Sequence, residues 1–495
     1  MTVAEPLTLG RGLRAAARRQ PRKVALRFGS QTISYAALVE RAARTASMLR
    51  TDWRIGPGDR IALISANRPE FIEVLVGGSD LGAAVAMVNP RVGEREAAAI
   101  LNDCEPRLVV ADPRSAGLLT GWRGPLLVLG TEYEQRLARV EGGIEDVAAE
   151  MDPFALHYTS GTTGLPKGVP ISHRSRVLSF FGMASEYGCY GPDDHFLALA
   201  PLCHGAGLTF ALAPLYMGGT CTLLDRFDPE EVLAILHAQT ITGVFFVPTH
   251  FNRIFDLPAS TLDRLRGHRL TAMISNAAPL LQAAKERVTD YFGKDLLYEC
   301  YGATESGIIT NLRPAFQLEK RNCVGTPFVA TEVELRDEAG DPVPDGAVGE
   351  LFSRSPYLFD GYWRRPEETA EAIVDGWVTV GDLARRDEDG CYYIVDRKKD
   401  MIITGGINVY PREIENVIDQ VPGVAEVAVI GRADPDWGEA VHAAIVRARG
   451  AVVDEGGIMA ACNAALAGYK RPKTIEFVDA LPRNTAGKVV KRDLR

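Results

Sequence analysis

The sequence predicts an α/β protein. A large N-terminal domain of layered βα sheets carries a small β segment, and a separate, smaller α+β domain follows it. Three observations predict this. Residues 60–330 alternate apolar strand-like runs with helical patterns, which argues for layers of largely parallel sheet covered by helices. Between about 330 and 395 the text changes to short strands joined by turn pairs, as in "DEAGDPVPDGAVGE" and "DEDGCYYIVD". From Met401 onward the pattern is strand, helix, strand, strand, helix, strand over about a hundred residues, enough for a domain.

The elements can be justified in chain order. "RGLRAAARRQ" reads as a solvated first helix ended by Pro21. "RIALISA" (60–66) is a strand, "RPEFIEVLVGGSDLG" a helix and "AAVAMVNP" the next strand. Later strands are "LALAPL", "GVFFVPT" and "LTAMIS". Asp228-Pro229-Glu230-Glu231 marks a helix start, with a capping Asp, a first-turn Pro and two acids suited to the helix dipole. "PREIENVIDQVPG" is an amphipathic helix opened by Pro411, and "VAEVAVIG" and "EAVHAAIVRA" are strands. The charged run "DRKKD" (396–400) joins the two regions. The expected division is therefore 1–396, a junction at 397–400, and 401–495.

Composition excludes several classes. Lys and Arg number 55 against 64 Asp and Glu, a net charge of −9, so binding nucleic acid through general charge is not expected. No apolar run approaches the roughly 20 residues that a spanning helix requires, and "MTVAEPLTLGRGLRAAARRQP" lacks the apolar stretch of a secretory signal. The eight cysteines are scattered without a C-x-x-C pair, which indicates neither a zinc site nor a disulfide framework. A cytoplasmic protein without a membrane segment is expected. Cys203–His204 reads as a buried thiol beside a pocket histidine rather than a metal site.

"HYTSGTTGLPKGVPISH", His157 to His173, gathers five Ser and Thr hydroxyls and three glycines around Lys167. Such a turn between strand and helix lets backbone N–H groups, hydroxyls and an ammonium converge on a polyphosphate. The spacing differs from the G-x-x-x-x-G-K-[ST] loop, because Lys167 follows Pro166 and precedes Gly168. In "YECYGATESG" (298–307) an aromatic could stack on a base, a threonine bond phosphate and a glutamate hold Mg²⁺, although a solvated Glu beside a turn fits that stretch equally well. Asp382 in "VGDLARRDEDG" could accept ribose hydroxyls or simply cap a turn. Lys488 in "LPRNTAGKVVKRDLR" reads, alone, as a solvated terminal lysine.

Together "YTSGTTGLPKGV", "YGATES", "VGDLARRDEDGCYYIVDRKKDMIITGGINVYPREIE" and "PRNTAGKV" resemble the ordered motifs of the adenylate-forming superfamily. That group includes acyl-CoA synthetases, peptide-synthetase adenylation domains and firefly luciferases. The resemblance runs from "ISYAALVERAARTASMLR" to the final residues. It implies that Thr159, Ser160, Gly161, Thr162, Thr163, Gly164 and Lys167 cradle the β- and γ-phosphates of ATP. Tyr301 would lie against adenine, with Ala277 and Ala278 on the same wall and Glu299, Gly302 and Ala303 beside the nucleotide. Thr304 would bond phosphate, Glu305 would hold Mg²⁺, and Asp382 with Arg397 would clamp the ribose. Lys399 would be the hinge, Lys488 the catalytic lysine brought by a mobile C-terminal domain, and Gly405 and Gly406 the lining of a coenzyme A tunnel. His204 would stand at the mouth of an acyl pocket lined by Gly205, Ala206, Phe210, Ile274, Asn276 and Ala277.

Three departures from the usual motifs stand out. Asn276 replaces the glycine of "SGAAPL", Glu299 stands where many relatives carry Gln or Asn, and Asp396 opens the usual "GRxKD". Asn276 would shorten the cavity, offer its amide to a polar acid, or turn away onto its neighbours. The implied function is an ATP-dependent acyl-CoA synthetase, an acid–thiol ligase acting on short, medium, cyclic or aromatic acids. The alternatives are a stand-alone adenylation enzyme that loads a carrier-protein thiol and a non-catalytic nucleotide-binding regulator.

Overall fold

A computed structural model describes residues 5–143, 146–159, 166–238, 240–483 and 489–494. The chain forms two compact units, Met1–Val333 with Ser353–Val378, and Glu334–Phe352 with Thr379–Arg495. The points of division fall within strands Glu332–Arg336, Val348–Arg354 and Trp377–Arg386, and the expected junction at 397–400 lies inside the second unit.

In the first unit, apolar β-branched runs build two sheets. One runs in the order Leu126–Val128, Leu108–Ala111, Arg60–Ile64, Ala84–Val88, Pro153–Thr159, Lys167–Ser172, parallel except for its last pair. The other is parallel from Leu297–Ala303 through Ala272–Ser275, Gly243–Phe246, His195–Ala198 and Thr220–Leu223 to Val24–Phe28, with antiparallel strands at both edges. Helices Pro69–Asp80, His173–Tyr187 and Gly205–Met217 share a single core with both sheets. It joins Leu63 and Met87 of one to Phe196, Phe245 and Ile274 of the other. These helices therefore form a middle layer, which explains why "GAGLTFALAPLYM" is apolar almost all round. Helices Pro229–Ala238, Pro248–Phe255 and Gln282–Phe292 cover the outer face of the second sheet, and Glu94–Cys104 covers that of the first. The predicted α/β class is thus the observed one.

Polar groups inside this unit are mostly paired, because an unpaired one costs several kcal/mol. Glu73 is fully buried and bonds Arg41 Nε at 2.6 Å and the Tyr133 hydroxyl at 2.8 Å. Lys285 and Glu299, both buried, form an ion pair beneath the second sheet.

The second unit has an antiparallel sheet, Ile407–Val409, Ile402–Thr404, Gly438–Arg447, Val424–Asp434, to which Thr474–Phe477 adds in parallel. Helices Pro411–Ile418 and Glu455–Ala465 pack on it through Ile414, Ile418, Ile458 and Cys462. The first expected strand is in fact a tight hairpin. It breaks at Gly405–Gly406, whose φ values of +56° and +76° favour glycine.

All eight cysteines are buried and none is in a disulfide among the described residues, and burial pushes Cys104, Cys203 and Cys221 up to about 12. No helix among the described residues is long and apolar enough to cross a membrane.

Buried histidines make stability depend on pH. Burial pushes His157 and His250 down to about 3, and His173 and His195 down to about 4. An unfolded histidine titrates near ~6.5, so below that pH the unfolded chain takes up protons that the folded one refuses, and stability falls. Asp80, raised by burial to about 6, opposes this with one proton. From these five groups the difference is about three protons, which at about 1.4 kcal/mol per pH unit each contributes a loss of about 4 kcal/mol between about pH 6 and pH 5. Urea unfolding across that interval measures it, and a flat profile would contradict it.

Candidate active site

The antiparallel register of Pro153–Thr159 with Lys167–Ser172 sets Thr159 directly opposite Lys167. The base of the glycine-rich loop is thereby pinned at the sheet edge. Ser160, Gly161, Thr162, Thr163 and Gly164 lie outside the described residues. The next turn of chain is Ser172, whose hydroxyl accepts from Ser175 N–H at 3.2 Å and caps helix His173–Tyr187.

A distant segment packs onto this hairpin. Trp363 N–H donates to the Gly168 carbonyl at 2.8 Å. Asp103 secures both partners, accepting from the Tyr158 hydroxyl at 2.8 Å and from Arg365 at 2.6 Å. Tyr362 is then held with its ring 5.1 Å from Lys167 Nζ, and Glu368 lies 4.0 Å from the same nitrogen. The Tyr362 hydroxyl donates to Glu305 Oε1 at 2.9 Å. Tyr362 and Glu368 were not singled out in the sequence. The available signal was local, "GYWRRPEE", where an aromatic pair precedes a helix start with Pro366 at its first position and two acids.

Thr304 and Glu305 sit in the turn between strands Leu297–Ala303 and Gly307–Leu312. The turn leaves no room for adjustment. A Cβ on Gly302 would lie 1.9 Å from the Gly307 carbonyl oxygen, and Gly307 itself has φ +68°. Ala303 N–H donates to Ser306 Oγ at 3.2 Å, and the Glu305 carbonyl accepts from Phe359 N–H at 2.8 Å. The Glu305 carboxylate is thus nearly buried, with one oxygen fixed by Tyr362 and the other available to a cation. No cluster of three or more potential metal ligands exists among the described residues. Mg²⁺ needs none here, since it is often held by one or two carboxylates together with substrate phosphates and water. The donor set therefore fits a nucleotide-bound Mg²⁺.

On the neighbouring wall, Asn89 Nδ2 lies 3.2 Å from His204 Nε2, and a Cβ on Gly205 would be 3.7 Å from Thr304 Oγ1. His204 and Thr304 therefore face one region. Ala206 is half-buried against the core, while Phe210 stacks on Phe245 with centroids 4.3 Å apart and planes 4° from parallel. Ile274 is fully buried. Asn276 turns inward. Its Nδ2 lies 3.0 Å from Cys300 Sγ, and its Oδ1 accepts from Ala277 N–H, where φ is +78°. A non-glycine residue at such a φ stores backbone strain, a feature that gathers at ligand sites. Ala277 and Ala278 are exposed, and Tyr301, Gly302 and Ala303 half-buried. Glu299 accepts from Leu280 N–H at 3.4 Å besides pairing with Lys285.

In the second unit, strands Trp377–Arg386 and Tyr392–Arg397 place Asp382 opposite Arg397, with Nε to Oδ1 at 3.1 Å. Asp396 is buried. Its Oδ2 accepts from Arg412 N–H at 2.8 Å, in the first turn of helix Pro411–Ile418, and this gives the departure from "GRxKD" a physical role. Lys399 is in the single turn Lys398–Asp400. At Gly405 a Cβ would meet the Trp437 ring at 2.9 Å. Lys488 lies outside the described residues, between Arg483 and Val489, which pair as an antiparallel bridge.

The family model described as "AMP-binding enzyme" matches residues 13–363, and that of the "AMP-binding enzyme C-terminal domain" matches 413–488. A feruloyl-CoA synthase of Amycolatopsis sp. is 37% identical, covering 97% of this chain and 96% of that protein. A 2-succinylbenzoate–CoA ligase of Geobacillus kaustophilus is 35% identical over 96% and 95%. The solved structure of ATP-bound MatB from Rhodopseudomonas palustris superposes with a TM-score of 0.91 at 32% identity, covering 99% of this chain and 98% of that one.

Tyr362→Phe removes the hydroxyl that orients Glu305 and keeps the ring under Lys167. A hydrogen bond to a charged group is worth about 1.5–3 kcal/mol, which corresponds to a rise of roughly tenfold to a hundredfold in the Mg²⁺ required for nucleotide binding. Titration of Mg²⁺ at fixed ATP tests this, and an unmoved midpoint would mean that Glu305 does not depend on Tyr362.

Proposed function

The chain belongs to the AMP-binding enzyme family of adenylate-forming enzymes, and from that premise we propose how its residues divide the work of an AMP-forming acid–CoA ligase on short, cyclic or aromatic acids. The observation that carries the reading is the line Lys167–Tyr362–Glu305, which sets the lysine of the glycine-rich loop beside the acid of the 304–306 turn. In the first half-reaction a carboxylate oxygen attacks the α-phosphorus of ATP and pyrophosphate leaves in line. Two anions must meet, so catalysis requires positive charge and donors placed where charge develops.

Thr159, Lys167 and the intervening loop hold the β- and γ-phosphates, and Thr304 donates to phosphate. Asp382, oriented by Arg397, accepts from the ribose hydroxyls. Tyr301 packs against adenine, with Ala277 and Ala278 beside it. Glu305 would hold Mg²⁺, which supplies charge neutralisation to the phosphates when bound. Lys488 neutralises the attacking carboxylate and the α-phosphate. In the second half-reaction a thiolate attacks the acyl-adenylate carbonyl and AMP departs. The reading gives Lys399 the hinge role for a domain movement that withdraws Lys488 and admits the thiol past Gly405 and Gly406.

The stacked pair Phe210–Phe245 supports a compact pocket with a planar wall, while the Asn276 amide, turned onto Cys300, is not offered to the acid. A panel of short, aromatic and long-chain acids, assayed for AMP with CoA, with a carrier-protein thiol and with neither, tests activity, acid class and acceptor together. Preference for palmitate over benzoate and hexanoate would contradict the pocket.

Lys488→Ala is expected to suppress pyrophosphate release by roughly a hundredfold or more, in the range of a lost charge-stabilising donor, while largely sparing thioester formation from supplied acyl-adenylate. Lys399→Pro, which fixes φ near about −65°, should do the reverse. Rapid-quench assays of the separated half-reactions distinguish the two. Equal loss in both steps for either variant would remove its assigned role.

A further inference from the structure

At the carboxyl ends of the two sheets of the first unit, one hydrogen bond ties His204 to Asn89, a residue to which the ligase reading gives no role. Asn89 follows strand Ala84–Val88, and Met87 stands opposite His157 in the register of that strand with Pro153–Thr159. Two residues on, Asn89 and Thr159 therefore leave the same end of the sheet, where ligands of open α/β sheets bind. His204 follows strand His195–Ala198 of the other sheet and precedes helix Gly205–Met217. Asn89 Nδ2 meets its Nε2 at 3.2 Å. The bond thus joins the two sheets beside the base of the glycine-rich loop.

The direction of this bond follows from its neighbour. An Asn side chain has an accepting oxygen and a donating nitrogen, and their partners tell the two ends apart. Arg91 N–H donates to Asn89 Oδ1 at 2.9 Å. A backbone N–H can only donate, so the oxygen is fixed on that side and the amide NH₂ faces the imidazole. Nε2, facing a donor, must accept and carries no proton. The ring proton is then on Nδ1, because a neutral imidazole has one donor and one acceptor.

A second feature acts in the same sense. His204 is the N-cap residue of helix Gly205–Met217, with no side-chain cap bond, and its carbonyl accepts from Leu208 N–H at 2.9 Å. The positive end of that helix opposes an imidazolium at this position.

We propose that Asn89 is a positioning residue for the acid: it holds His204 in one tautomer, Nε2 bare and Nδ1 protonated, so that the histidine meets the substrate carboxylate as a neutral donor. A Cβ on Gly205, next in the chain, would lie 3.7 Å from Thr304 Oγ1, which sets this donor beside the phosphate-binding turn. A neutral N–H orients the carboxylate. An imidazolium would hold it more strongly before reaction, and binding already present in the ground state does not speed the chemical step. This rests on the ligase reading above and adds a residue to its acid site.

Protein carrying isotope-labelled histidine tests the tautomer, with His204→Gln identifying the His204 signals. Long-range proton–nitrogen spectra of wild type at neutral pH are expected to show a bare Nε2 and a protonated Nδ1. In Asn89→Asp the carboxylate can only accept, so Nε2 should become protonated while Arg91 N–H keeps its acceptor. Pyrophosphate release with benzoate and hexanoate tests the consequence. Asn89→Asp and Asn89→Leu should each lower kcat/KM for the acid roughly fivefold or more, the range of one lost hydrogen bond, with KM for ATP unmoved.

A wild-type His204 protonated on Nε2 would overturn the proposal. So would an Asn89→Asp spectrum like that of wild type, or wild-type kinetics in a variant whose tautomer has changed. Equal losses for acid and ATP would make Asn89 a general structural contact and overturn it too. Should neither variant fold, the wild-type spectrum decides the tautomer. If no acid yields AMP while the spectra are as expected, the ligase reading fails and the tautomer stands.

Discussion

A layer of helices sealed between two sheets is the constraint on which the first unit depends. Once Pro69–Asp80, His173–Tyr187 and Gly205–Met217 are enclosed on both sides, a polar atom buried in that layer cannot turn to water and needs a partner inside the fold. Asn67 meets this requirement fully. Its amide donates to the Ala200 and Leu224 carbonyls and its oxygen accepts from Leu202 N–H, so it joins the strand ends of both sheets. The Arg41–Glu73–Tyr133 group does the same for a buried carboxylate. Polar satisfaction of this kind fixes where the strand ends lie, and hence where the turns of the candidate site start.

The site is assembled by long-range contacts on that frame. Residue 305 reaches 362, 168 reaches 363, and 103 reaches 365. Segment 357–369 therefore acts as a clasp that fixes the hairpin of the glycine-rich loop against the 304–306 turn. The clasp joins an aromatic ring and hydroxyl, on Tyr362, to two charges, Arg365 paired with Asp103 and Glu368 beside Lys167. Tyr362 thereby stands between Lys167 and Glu305.

Much of this was legible because the signals were local. Strands announced themselves as apolar runs, helices by Ser172 and Pro229, and the hairpin that flanks the glycine-rich stretch by the apolar runs on either side of it. The class of layered α/β sheets followed from alternation alone. Contacts between distant residues were not legible. Nothing near Glu299 indicates that Lys285, on another element, meets it, and nothing near Tyr362 points to a residue 57 positions earlier. Asn276 shows the same limit, since three orientations suit its sequence and only the position of Cys300 selects one. The division between the compact units is equally silent in composition, because it passes through continuous strands whose residues look alike on either side.

The cysteines carry a consequence of another kind. All eight are buried, and burial raises Cys104, Cys189, Cys203, Cys221, Cys300 and Cys462, thiols that would have to ionise before reacting. In the native protein they are close to silent toward alkylating reagents and mild oxidants. They lie in both units, from Cys104 to Cys462, so modification of each one marks an opening of its own surroundings. The chain thus contains a built-in set of reporters for breathing motions, and site-by-site alkylation kinetics would map how local openings are distributed through the fold without any introduced label.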